Sequence, residues 1–205
     1  MYADLSIKDY LKETASSAPV PGGGSVAAVS AALAAALSEM VAGLTVGRKG
    51  FEAVHDDMEV IRASAADLRM RCTESIDRDP EAYLRVLDAF KLPKETEGDK
   101  ASRTMAIQEA MKGATLVPLA LAESAFRIIE MAGSVVQKGN PNAASDGAVA
   151  AMMARAAGLA ALYNVRINLA AIKDEQFVNT VKRKVERWEA VITNREKEIL
   201  QQVEF

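Results

Sequence analysis

The sequence predicts an all-α fold, a single-domain helical bundle of about seven to nine helices around an Ala-rich central helix. Half of the 205 residues are apolar, yet aromatic residues make up only 5% of the chain. This composition favours helices that pack closely through small side chains. Apolar residues recur at intervals of three or four, and no segment alternates in the manner of a strand. The length suits one well-packed domain, expected over residues 1–205.

The stretch "APVPGGGSVAA" leads into the Ala-rich helix. Ser25 is a good N-cap for that helix, because its side-chain oxygen can accept a free N–H of the first turn. We expect the helix to end near Gly47, just before Arg48 and Lys49. A basic pair at a helix C-terminus complements the helix dipole.

The pattern stays helical over residues 51–90, but "DRDPEAY" interrupts it. Asp79 and Pro80 have the features of a helix start, with aspartate as N-cap and proline at the first position; a kink at Pro80 is the alternative. A capping carboxylate accepts backbone N–H bonds, which would lower the pKa of Asp79. A polar loop follows, and the next helix is expected over about residues 102–133, with a kink or restart at Pro118.

The last third of the chain holds a second break, "QKGNPNAASDGAVA", followed by one long apolar helix. Ser145 or Asp146 could cap that helix. Further helices are predicted over residues 6–14 and from Asp174 onward, because apolar residues recur there at helical spacing.

Charge and residue counts argue against several classes of function. The formal net charge of −3 and the pI near 5.4 are untypical of a nucleic-acid-binding protein, which normally has a basic excess. Cys72 is the only cysteine, so no intramolecular disulfide can form. His55 is the only histidine, so that a metal site or a Ser-His-Asp triad is not expected.

Residues 26–46 are nearly as long as a membrane-spanning helix. Alanine dominates this segment and Glu39 interrupts it, which favours the central helix of a soluble bundle. The charged N-terminus lacks the apolar core of a signal peptide. The expected location is the cytoplasm, with no membrane partner.

Two polar motifs leave structural and functional alternatives open. The glycine triplet matches neither G-x-G-x-x-G nor a P-loop. It could hold an anion at the helix N-terminus, or form an entry turn where a neighbouring helix passes too close for a Cβ atom. Asn164 and Asn168 lie four residues apart on one helix face. They could join helices by hydrogen bonds or contact a heterocycle rich in donors and acceptors.

Several stretches between residues 18 and 169, taken together and in order, resemble one family. They are "APVPGGGSVAA", "TVGRKGFE", "DRDPEAYLRVLDAFKLPK", "VPLALAE", "GNPNAASD" and "YNVRINL". The chain resembles the cyclodeaminase/cyclohydrolase family, which includes the C-terminal domain of formiminotransferase-cyclodeaminase and free-standing methenyltetrahydrofolate cyclohydrolases. The resemblance implies an all-α homodimer with its active site at or near the subunit interface.

The resemblance also implies a substrate, a tetrahydrofolate that carries a one-carbon unit between N5 and N10. The reaction would be that of a methenyltetrahydrofolate cyclohydrolase, a formimidoyltetrahydrofolate cyclodeaminase or both. Each needs general acid/base catalysis rather than a metal or a covalent nucleophile, and no cofactor is expected beyond the tetrahydrofolate substrate. The alternative is a non-catalytic helical dimer that binds folate or a partner protein.

The family's proposed acid/base aspartate falls on Asp79, although family members often have alanine where this chain has Pro80. The resemblance assigns the glycine-rich turn to the folate site and basic residues to the glutamate tail, which is often extended to several glutamates. Further polar residues are pocket candidates on motif match alone. The substrate-binding candidates are Gly22, Gly23, Gly24, Ser25, Arg48, Lys49, Lys94, Arg103, Lys138, Asn140, Asp146, Asn164 and Asn168.

Overall fold

The computed structural model describes residues 1–203, which contain six α-helices, three short 3-10 helices and no strand. The α-helices are α1 (Ile7–Thr14), α2 (Gly23–Gly43), α3 (His55–Lys91), α4 (Glu97–Lys138), α5 (Ala144–Leu169) and α6 (Glu175–Leu200). The 3-10 helices are Tyr2–Asp4, Glu52–Val54 and Pro141–Ala143. The all-α prediction is confirmed. The number of α-helices in this range is lower than expected, because two segments that contain proline continue as single long helices; residues 204 and 205 lie outside the described range.

The two prolines inside helices do not start new ones, so the predicted N-cap role of Asp79 in its own helix is wrong. A helical proline has no N–H to donate to the carbonyl four residues earlier. At Pro80 that carbonyl belongs to Ile76, and the Ser25 hydroxyl donates to it over 2.8 Å. Tertiary contact therefore supplies the hydrogen bond that local sequence rules treat as lost.

Pro118 in α4 has the same arrangement. The carbonyl that it leaves without a helical donor is that of Ala114. The side-chain amide nitrogen of Asn168 in α5 donates to this oxygen over 2.9 Å. Both prolines are thus accommodated by a side chain from another helix.

Helix α2 is the central helix and packs against α3, α4 and α5. It begins at Gly23 with Gly22 as its N-cap, so the prediction that Ser25 caps it is wrong; Ser25 lies in the first turn and is completely buried. The helix ends at Gly43, four residues before the positive-φ Gly47. Residues 48 and 49 therefore lie in the turn that follows and not in the last helical turn.

Helices α3 and α5 run antiparallel to α2. The Asp79 carboxylate of α3 contacts Gly24, near the start of α2, whereas the backbone N–H of Asn140, just before α5, donates to Thr45 Oγ1, just after α2, over 2.9 Å. We call these two ends of the bundle the Asp79 end and the Thr45 end. Helix α2 separates them by about 30 Å, since a helix rises about 1.5 Å per residue.

The helices expected from Ser6 and from Asp174 are confirmed, and each of these residues is the N-cap. The Ser6 hydroxyl accepts the N–H of Asp9 at the start of α1, and the Asp174 carboxylate accepts the N–H of Phe177 at the start of α6. Tyr10 is the buried residue of α1. Local capping signals are reliable here because the cap and its donor are three residues apart.

Two other helix starts differ from the prediction. Helix α4 begins at Glu97, earlier than expected, because Thr96 and Asp99 form a capping box. Helix α5 begins at Ala144 directly after a 3-10 turn, so neither residue 145 nor residue 146 caps it. The Asn140 side chain instead accepts the N–H of Asn142 and caps the 3-10 turn.

Helices α2 and α5, the latter with its 3-10 turn, are long and apolar enough to cross a membrane by length and composition alone, a test that buried core helices also pass. About half of their most apolar windows is buried, 44% and 50% respectively. The two helices also carry large exposed apolar side chains, which we call the α2–α5 face. These residues are Val26, Leu33, Met40, Leu44, Val149, Met152, Tyr163 and Ile167.

Candidate active site

A cavity of about 490 Å³ lies at the Asp79 end of the bundle, a size typical of small-molecule sites. It is formed by the start of α2, the second half of α3, α4 and the last turns of α5. Several residues that the sequence singled out line it together. They are Gly22, Gly23, Gly24, Asp79, Asn164 and Asn168.

The Asp79 carboxylate lies against the first turn of α2. A Cβ atom built on Gly24 would overlap both carboxylate oxygens, whereas a Cβ on Gly23 would have its nearest neighbour 4.0 Å away, at the Asn164 amide nitrogen. The triplet is therefore an entry turn with one crowded position, and the group that crowds it is the candidate catalytic side chain. The same turn presents the free N–H groups and the positive dipole end of α2 to the carboxylate.

Burial raises the pKa of the Asp79 carboxyl above its usual range, and the backbone N–H of Ser25 partly offsets that increase by hydrogen bonding. The prediction of a lowered pKa is wrong, because Asp79 lies inside α3 and burial outweighs the hydrogen bond. A carboxyl with a raised pKa exchanges protons more readily near neutral pH than an ordinary aspartate does.

Two side-chain amides form the opposite wall. The Asn164 nitrogen donates to the Ala160 carbonyl over 2.9 Å, and the Asn168 nitrogen donates to Ala114 as described above. Each nitrogen keeps a second hydrogen, so each amide can offer both an acceptor oxygen and an N–H donor to a ligand. Asn168 joins two helices and lines the cavity, so the two alternatives for it are not exclusive.

Sequence reasoning missed the apolar wall of the cavity. Tyr83, Val86 and Phe90 follow Asp79 along one face of α3, and Ile167 of α5 stands near them. Spacings of three and four residues from Asp79 place these side chains on one stripe. This spacing is visible in the sequence, but it is also typical of an apolar stripe that packs in the core, so it does not by itself indicate a cavity.

Arg103 belongs to α4 and contacts the C-terminal end of α3 beside this wall. Its guanidinium donates to the Phe90 carbonyl over 3.0 Å and lies 5.6 Å from the centre of the Phe90 ring. Lys94 is exposed in the loop between α3 and α4, and it does not line the cavity. Of the predicted basic residues, Arg103 is thus held against a cavity-lining residue.

Two predicted basic residues lie elsewhere. Arg48 and Lys49 are exposed and line a separate cleft near the Thr45 end, together with His55. The Nδ1 atom of His55 accepts the backbone N–H of Gly47 over 3.3 Å. This cleft belongs to the turn after α2, about the length of that helix away from Asp79.

Three further candidates also lie toward the Thr45 end. Lys138 pairs with Asp57 over 2.8 Å, Asn140 is buried beside Thr45, and Asp146 is half-buried in the first turn of α5. The structure does not bring them into the cavity of the same chain. Ser25 lies directly behind the cavity, with its hydroxyl turned away into the core.

The single thiol is a core group. Burial raises the pKa of Cys72 to about 12, so that the thiol stays protonated at neutral pH. In residues 1–203, no three His, Cys, Asp or Glu side chains are grouped so that they could hold a metal ion.

Comparison with known proteins identifies the family. The family model described as formiminotransferase-cyclodeaminase matches residues 6–187. A methenyltetrahydrofolate cyclohydrolase of Methylorubrum extorquens is 41% identical over 86% of this chain and 85% of its own length. The formimidoyltransferase-cyclodeaminase of Rattus norvegicus is 35% identical over 89% of this chain, which spans only 34% of that protein.

The fold agrees with a solved structure as well. The crystal structure of formiminotetrahydrofolate cyclodeaminase from Thermotoga maritima superposes with a TM-score of 0.89 and 32% sequence identity, covering 99% of this chain and 98% of that one. The family match, the identity over most of the chain and the shared fold agree. The chain belongs to the formiminotransferase-cyclodeaminase family.

Proposed function

We propose that the protein is an enzyme that interconverts one-carbon units between N5 and N10 of tetrahydrofolate, as a methenyltetrahydrofolate cyclohydrolase, a formimidoyltetrahydrofolate cyclodeaminase or both. The observation that carries this proposal is the Asp79 carboxylate, held in a cavity against the first turn of α2. The names of the relatives support the substrate class. The transferase activity in the name of the Rattus norvegicus relative is not part of the proposal, because the chain spans about a third of that protein.

Asp79 would act as base and then as acid. In the cyclohydrolase reaction, water adds to the methenyl carbon while the carboxylate takes a proton from the water. The carbon–N5 bond then breaks, N5 receives the proton held by Asp79, and the hydroxyl proton is released to water as the formyl C=O forms, which gives 10-formyltetrahydrofolate. In cyclodeamination, N10 adds to the formimino carbon, and the proton removed from N10 goes to the departing ammonia. Both reactions need only proton transfer, so we propose no cofactor beyond the folate substrate.

The cavity supports one orientation of the folate. The Asn164 and Asn168 oxygens can accept N–H groups of the pterin ring beside Asp79. The aminobenzoyl group would follow the apolar wall of α3 toward Phe90. About 16 Å of helix separates Asp79 from Phe90, which suits an extended folate, and Arg103 at that end would meet the anionic glutamate tail.

We also propose a homodimer that pairs through the α2–α5 face. Ile167 supports this arrangement, because it is 71% exposed, belongs to the face and lines the cavity. A second copy seated on the face would bury apolar surface and cover the cavity mouth. Arg48, Lys49 and Lys138 lie near the Thr45 end of their own chain, so they could bind a folate tail of one or several glutamates only in the cavity of the other copy.

An absorbance assay of the methenyl chromophore tests the function. Purified protein should consume methenyltetrahydrofolate faster than buffer does, or form the same chromophore and ammonia from 5-formiminotetrahydrofolate. The Asp79→Asn variant is the matched control. Binding of either folate without turnover would support the non-catalytic folate-binding dimer instead.

A further inference from the structure

The Ser25 hydroxyl of α2 forms a hydrogen bond with the backbone of α3 next to Pro80. It donates to the carbonyl of Ile76, the one residue whose helical donor is absent because Pro80 has no N–H. The two residues are 51 positions apart in the chain, and both are buried. A buried carbonyl without a donor destabilises the fold, and the Ser25 hydroxyl supplies the hydrogen bond that a backbone N–H at residue 80 would otherwise donate.

The same hydroxyl is itself held in place. Tyr10 of α1 lies 2.9 Å from Ser25 Oγ. Because the Ser25 proton is directed to Ile76, the Tyr10 hydroxyl is the donor of this pair. The bonds therefore form a chain from α1 through the first turn of α2 to α3.

Ser25 holds α3 close to Asp79. Its side chain donates to Ile76, and one helical turn further on the Asp79 carboxylate lies against Gly24, the residue before Ser25. The start of α2 is thereby joined to the turn of α3 that carries the carboxylate. A displacement of about 1 Å at a reacting group can cost about 100-fold in rate, so this attachment bears on catalysis.

Resting on the proposed function, we propose that Ser25 is a positioning residue for Asp79, which replaces the missing N–H of Pro80 at the Ile76 carbonyl and does not itself contact folate. Asn168 plays the same role across the cavity, where its side chain donates to the Ala114 carbonyl that Pro118 leaves without a helical donor. Two prolines and two tertiary donors thus flank one site. Ser25 differs from Asn168 in that its side chain is completely buried behind the cavity.

Pro80 offers a direct test by rescue. The Ser25→Ala variant should lower kcat about 10- to 100-fold with little change in KM, because the turn of α3 that carries Asp79 loses its side-chain attachment to α2. In Ser25→Ala/Pro80→Ala, the new N–H at residue 80 can bond Ile76. Most of the lost kcat should return. Pro80→Ala alone should stay close to the wild type.

Thermal unfolding of the same four proteins separates this inference from the proposed function. Ser25→Ala should lower Tm by on the order of 5 °C, and the second substitution should restore it. That rescue is expected even if the wild type turned over neither folate, in which case only the proposed function would fail. A double variant that is no faster and no more stable than Ser25→Ala, or that fails to fold while Pro80→Ala folds, overturns the inference. A rise in KM with unchanged kcat in Ser25→Ala would also overturn it, since that result indicates a ligand contact.

Discussion

The carboxylate of Asp79 occupies the space that a Cβ atom on residue 24 would need. A glycine at the start of one helix and an acid in the middle of another are therefore a matched pair. The match explains why at least one residue of the triplet must lack a side chain, although its backbone φ/ψ values are ordinary for a helix.

The Gly24→Ala variant should fold but lose at least about 100-fold in kcat, because the methyl group must displace the Asp79 carboxylate. Steady-state kinetics with either folate and circular dichroism measure the two effects. Gly113→Ala is the control, since nothing lies within 4 Å of its Cβ position on the exposed side of α4. It should keep full activity and gain about 0.5–1 kcal/mol of stability. Equal activity in the two variants would contradict the pairing of residues 24 and 79.

The Asp79→Asn variant should lose about 10²- to 10⁴-fold in kcat, the range typical of a removed general acid/base. Asparagine keeps the size of the side chain and can still accept N–H bonds at the start of α2. Folate affinity should therefore change little, which a binding titration would show. A variant with near-wild-type kcat would exclude Asp79 as the acid/base.

The same substitution should stabilise the protein at neutral pH. Because the pKa of Asp79 is raised in the folded state, folded protein binds the proton more tightly than unfolded protein. The free energy of unfolding of the wild type therefore falls as pH rises from the unfolded pKa through the folded one. The asparagine side chain does not titrate, so the Tm advantage of the variant should be largest near pH 7 and smallest below pH 4. A Tm difference that is independent of pH would contradict a raised pKa.

The Leu33→Lys variant tests the dimer. Leu33 is 49% exposed at the middle of α2 and does not line the cavity. A buried unpaired lysine on the α2–α5 face should convert the dimer to a monomer and reduce turnover if a second copy covers the site. Light scattering measures the mass. Val60→Lys on α3, outside the face and also exposed, is the control that should leave mass and activity unchanged. A monomeric wild type would rule out the proposed pairing.

The Arg103→Gln variant should raise KM about tenfold for a folate with a glutamate tail and leave kcat nearly unchanged, since only a binding contact is removed. Lys100→Gln is the matched control, because Lys100 is exposed on the same helix and pairs with Glu97. A substrate analogue without the glutamate should bind both proteins equally. An unchanged KM in Arg103→Gln would place the tail elsewhere.

Local signals in the sequence were sufficient for the helices whose caps are close in the chain, such as those at Ser6 and Asp174. They failed at Asp79. Aspartate followed by proline usually starts a helix, but the same pair can lie inside a helix when a side chain from elsewhere donates to the carbonyl that the proline leaves free. The deciding group, the Ser25 hydroxyl, lies far away in the sequence. No local rule contains that information.

The candidate site shows the same limit. The glycine turn, Asp79 and the two asparagines, which the resemblance assigned to the site, line one cavity. It also proposed Arg48 and Lys49, which chain order could not separate from the others, although α2 places them at the opposite end of the bundle. The wall around Phe90 was missed because an apolar stripe that lines a cavity has the same spacing as one that packs in a core.

The hydrogen bonds that accommodate the two prolines join residues 51 and 54 positions apart. Helices form from local contacts, whereas bonds of such long range require the chain to close large loops first. A partly folded state could therefore contain every helix and yet hold neither carbonyl in place. Such a state would have nearly the circular dichroism of the native protein but no assembled active site, so recovery of activity, rather than recovery of helicity, would mark the end of refolding.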